Sequence, residues 1–119
     1  MDIWKHGTYF DLWSLVHFLS GALLATAAVA VGFSFVQALV YTSLILVAWE
    51  AYEWLLGILE APANVTSDLV LGLVGFLGVA YLHYELRQPI NLFMVAALGT
   101  LLVLLSGWGF RDLFVRGYR

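Results

Sequence analysis

The sequence predicts an all-α membrane protein, with four transmembrane helices in a compact bundle joined by short loops. Three observations predict it. Apolar residues make up 63% of the 119 residues and charged residues only 11%, against about 25% charged in soluble domains. The apolar residues fall into four runs, each near the ~20 residues that a bilayer-spanning helix needs. Between the runs stand short clusters of turn-forming residues. A soluble chain of this size has too little interior to hide so much apolar surface, whereas lipid can take the excess.

The four runs, taken in order, predict helices at about 12–31, 35–57, 66–84 and 90–110, all within one domain spanning 1–119. Their length argues against buried strands. Gly32-Phe33-Ser34 forms a tight turn between the first two. Glu60-Ala61-Pro62-Ala63-Asn64 breaks the chain before the third, where Thr66, Ser67 or Asp68 can cap the new helix. Arg87-Gln88-Pro89 separates the last pair, with Pro89 suited to a first helical turn. Residues 1–11 carry Asp2, Lys5, His6 and Asp11, and no small-x-small signal leads into a soluble domain, which argues against a cleavable signal peptide. The second and fourth runs do not resemble each other, so no repeat of the transporter kind is expected.

Four spans place both chain ends and the middle loop on one side of the membrane. That side holds Lys5, Arg111, Arg116 and Arg119, and the other only Arg87. The bias predicts an inner-membrane protein with both termini in the cytoplasm. Trp4, Trp13, Trp54 and Trp108 are then expected at the cytoplasmic interface, and Tyr81 and Tyr84 at the outer one. A net charge of −3 offers no basic footprint for nucleic acid. With no cysteine, disulfides, thiolate metal sites and thiol nucleophiles are excluded. The expected partners are the lipid bilayer and a second copy or a larger membrane complex.

The polar residues gather on one side. Seven of the eight acids lie toward the predicted cytoplasmic half, with Glu85 the exception. At ~1.5 Å per residue, His17, Glu50, Glu53 and Asp68 all fall in one layer. Glu50 and Glu53 share a helical face with Gly57. Gly72, Gly75 and Gly78 lie along the third helix and Gly21 along the first, where small residues let helices approach closely. An acidic pocket between the first three helices follows, made by His17, Glu50, Glu53 and Asp68. Ionisable groups within apolar spans point to function by default, against the plainer alternative that they reach headgroups or cap helices. Two carboxylates one turn apart repel when both are ionised. A shared proton, a bound cation or a positively charged headgroup would each resolve this. The same four residues supply hard ligands for a divalent metal, with iron, manganese or zinc as candidates. His17 and His83 are too far apart to hold one haem. Ser14, one turn before His17, is a weak nucleophile candidate.

The pattern of Asp11, His17-Phe18, Gly21, Glu50-x-x-Glu53-Trp54, Asn64, Ser67-Asp68, Gly72 and Gly75 resembles the VanZ-like and YjdF-like group of small bacterial membrane proteins. The resemblance covers residues 11–78, and the Trp49–Trp54 run brings the chain nearer the YjdF-like side. It implies a role in the cell envelope, linked on the VanZ-like side to glycopeptide-antibiotic tolerance, and it groups His17, Glu50, Glu53 and Asp68 without naming a reaction. Three functions follow as expectations. The first is an intramembrane site for a cation, proton or lipid headgroup. The second is a membrane metalloenzyme using the same residues. The third is an accessory subunit of a larger complex.

Overall fold

A computed structural model describes residues 11–58 and 60–116. Among these residues the chain forms α1 (Leu12–Ala30), α2 (Phe35–Leu55), α3 (Pro62–Ala80), a π-helical turn (Tyr81–Glu85) and α4 (Leu92–Arg116). All four spans are long and apolar enough to cross a membrane.

Each boundary has a local cause. Asp11 caps α1: its carboxylate accepts from the Ser14 N–H while the Ser14 hydroxyl accepts from the Asp11 N–H, a reciprocal capping box. Ser34 and Gln37 make the same device at α2. Gly32 and Gly57 end α1 and α2 with a φ of +82°, a conformation that a Cβ disfavours. The α3–α4 turn passes through Arg87 at φ +53° and is held by His83, whose Nδ1 lies 2.9 Å from the Gln88 carbonyl. Across that end, the Tyr84 hydroxyl donates to the Phe33 carbonyl at 2.8 Å and ties the α1–α2 and α3–α4 turns together.

Two starts differ from expectation. α3 begins at Pro62 rather than near 66, because proline at the first helical position gives up an N–H that has no partner there anyway. Thr66 and Ser67 are therefore inside the helix, their hydroxyls bonded back to the Pro62 and Ala63 carbonyls, and Asp68 is an interior residue rather than a cap. α4 begins at Leu92, where Asn91 accepts from the Phe93 and Met94 N–H groups, so Pro89 lies in the turn before the helix. α4 also runs on past 110 to Arg116.

α1 is the centre of the bundle, and its closest neighbour is α3. Gly21 lies against the Gly72 carbonyl, and Gly75 against the Phe18 carbonyl. Gly72 is also met by the Leu46 side chain from α2. Glycines at these points let two backbones touch. Gly78 departs from the expected stripe. It is exposed, and a Cβ there would meet nothing within 4 Å, because the face of α3 that meets α1 runs on through Phe76 and Ala80, which cluster with Ala25 and Ala28, and Gly78 points away from it. α2 and α4 present Leu44, Val47, Phe93 and Val103 outward as a lipid-facing surface. Trp54 and Trp108 are exposed, but Trp13 is buried, edge-on to Phe110 at 5.1 Å in the α1–α4 core. Its ring serves packing rather than the interface. Trp4 lies outside the described residues.

Candidate functional site

At the end of the bundle where α1 and α3 begin and α2 ends, the polar side chains converge. His17 Nε2 lies 3.3 Å from Glu50 Oε1 and 3.5 Å from Asp68 Oδ2. Asp68 is fully buried and His17 is 2% exposed. Each of the three offers a ligand atom within 4.8 Å of the others. Three helices thus contribute one side chain each, and they can meet because the glycine contacts draw α1 against α3 one turn deeper.

A second layer orients the first. The Ser14 hydroxyl donates to Asp68 Oδ1 at 2.6 Å, which leaves Oδ2 turned to His17. Asn64, also fully buried, donates from Nδ2 to Asp11 Oδ2 at 3.1 Å. Asp11 in turn accepts from the Ser14 N–H, so the α1 cap and the α3 carboxylate belong to one network. Such partners hold ligand side chains in place and tune them. They also dispose of Ser14 as a nucleophile: its proton goes to Asp68, and His17 Nε2 addresses two carboxylates instead.

Glu53 takes a different place from His17. With Glu50 and Glu60 it forms a neighbouring group, again with one oxygen from each within 4.8 Å. Glu50 belongs to both groups. Glu60 was expected only to break the chain between two helices. The turn at Gly57, pinned by the Ile58 N–H to the Glu53 carbonyl at 3.0 Å, folds it back under α2. The nearest sequence signal was the acid itself, three residues past a glycine. Of the other polar residues, His83 lies at the opposite end of the bundle, as the haem argument required.

On its other side His17 borders an apolar cavity of about 290 Å³ lined by Val16, Leu24, Trp49, Leu102 and Phe110, between α1, α2 and α4. The imidazole therefore stands between a carboxylate cluster and an apolar hollow. Chemically, the arrangement can hold a proton between His17 and two acids, or a cation among all three. Set against known proteins, the chain matches no family model, no curated protein and no solved structure.

Proposed function

We propose that this chain is an integral protein of the cytoplasmic membrane that binds a divalent metal cation at an intramembrane site made by His17, Glu50 and Asp68. The spacing of the three ligand atoms carries the reading. Charge-assisted hydrogen bonds between nitrogen and carboxylate run about 2.7–2.9 Å. The His17 contacts are longer, at 3.3 and 3.5 Å. A tetrahedral ion with bonds of about 2.1 Å separates its ligand atoms by about 3.4 Å. The two His17 separations match that spacing, and all three ligand atoms lie within 4.8 Å of one another. No Lys or Arg occurs between Leu12 and Glu85, the segment that supplies every one of these groups. One nitrogen and carboxylate oxygens suit zinc, manganese or iron.

The resemblance to the VanZ-like and YjdF-like group supports the same grouping, since Asp11, His17, Glu50, Asn64 and Asp68 are among its marked residues and meet at one end of the bundle. A cell-envelope role follows from that resemblance.

Two experiments test the reading. Protein purified in mild detergent should carry metal by elemental analysis, and a chelator should lower its melting temperature. Ligand linkage at a hundredfold excess over Kd is worth about 2.7 kcal/mol. His17→Ala should lose the metal at this site and with it part of the chelator response. A wild-type protein free of metal, with melting indifferent to added Zn²⁺, Mn²⁺ or Fe²⁺, would overturn it. Orientation is tested separately. A reporter active only outside the cytoplasm should be silent after Arg119 and active when inserted at Arg87. The reverse result would turn the site to the outer face.

A further inference from the structure

The site does not end at three ligands. Glu50, Glu53 and Glu60 form a second group that shares Glu50 with the first. They line a cavity of about 500 Å³ together with Val47, Trp54 and Val65. Glu53 is 3% exposed; its side chain meets that of Glu60, while its Oε2 has no hydrogen-bond partner among the described residues. A carboxylate oxygen buried in this way, lining a cavity beside two more carboxylates, is strongly disfavoured unless something positive or a proton meets it.

We infer that the pocket holds two divalent cations, one at His17/Glu50/Asp68 and one at Glu50/Glu53/Glu60, with Glu50 as the bridging carboxylate. The inference rests on the metal reading above and extends it to a second ion. Glu50 Oε1 faces His17, and a carboxylate has a second oxygen to give, so one side chain can serve both ions. Paired metals in proteins stand about 3.5–4 Å apart, a separation that a bridging carboxylate spans. Charge favours the pair as well. Glu50, Glu53, Glu60 and Asp68 carry four negative charges when ionised, and two divalent cations neutralise them, whereas a single ion leaves half uncompensated in a low-dielectric setting. The two positions differ in character. The first has an imidazole nitrogen and suits a transition metal, while the second is all oxygen and suits a harder ion. Mn²⁺ accepts both donor sets and is the probe of choice.

The test is Mn²⁺ titration of the full chain, stripped with chelator and followed by electron paramagnetic resonance. Wild type should bind two equivalents, and the second should convert the hyperfine pattern of an isolated ion into the broadened spectrum of an exchange-coupled pair. Glu60→Gln, in a turn outside the helices, should bind one equivalent and keep the isolated pattern, and Glu53→Gln should do the same. One equivalent in wild type, unchanged by Glu60→Gln, would overturn the second ion and leave the first standing. Two equivalents without coupling would overturn the bridge. No Mn²⁺ bound by wild type would count against both readings.

Discussion

Gly75→Leu should prevent α1 and α3 from docking, with an effect that among the glycine positions only the equally close Gly21 should match. A Cβ at Gly75 runs into the Phe18 carbonyl and approaches the Ala22 N–H, which is backbone that cannot rotate away. Overpacking an ordinary core costs about 1–3 kcal/mol, because side chains can shift. Here the helices themselves must separate, so a loss of about 3 kcal/mol or more is expected. The separation would also pull Asp68 from Ser14 and His17, whose contacts lie one to two turns away. The expected result is aggregation or a much lower melting temperature in detergent. Gly78→Leu is the control. It lies three residues on in the same helix, exposed, with nothing within 4 Å of the added atom. Surface substitutions of that kind stay within about 0.5 kcal/mol, and leucine favours helix over glycine by nearly 1 kcal/mol. Equal melting for Gly75→Leu and wild type would mean that α1 and α3 do not meet as described.

Glu50→Gln should abolish metal binding altogether, more completely than the loss of any other ligand. Glu50 is the one acid common to both carboxylate groups. Glutamine keeps its size but removes the charge and the second equivalent oxygen, so neither ion keeps its bridge. Melting should fall to the chelator-treated value, and added metal should not restore it. A pocket that holds only a proton predicts the opposite. Glutamine would then mimic the neutral acid, and stability would hold or rise, because like-charge repulsion with Glu53 is removed. Unchanged or higher stability in Glu50→Gln, with no metal in wild type, would decide for the proton, and full metal content retained in Glu50→Gln would remove Glu50 from the ligand set. If Glu50→Gln, His17→Ala and chelator all leave melting and metal content unchanged, the cluster is ordinary interfacial polarity, and a subunit packing into a larger complex becomes the better account.

His17, Glu50 and Asp68 show how much of the site was legible in advance. Each stands at a countable distance from the end of an apolar run, and helix rise is constant. Depth in the membrane is therefore a local property, and it sets the three in one layer without reference to their contacts. The order of the spans and the turns at Gly32 and Gly57 are local too, resting on run length and on backbone conformations that glycine favours.

Rotation about each helix axis is a different kind of quantity. A soluble helix marks its buried face with an apolar stripe, but these helices are apolar all round, so hydropathy does not distinguish lipid from neighbour. Only packing decided that Gly21, Gly72 and Gly75 meet backbone or side chain while Gly78 looks outward. Packing likewise took Trp13 into the core and left Trp54 outside. Glu60 was harder still to foresee, since its place beside Glu50 and Glu53 depends on the chain reversing at Gly57 and on α3 beginning at Pro62. The sequence by itself determined the four spans and the layer in which their acids lie, because length, rise and turn chemistry are properties of neighbouring residues. The tertiary structure alone decided which acids come together around His17, because that depends on how three helices turn about their axes when glycine lets two of them touch.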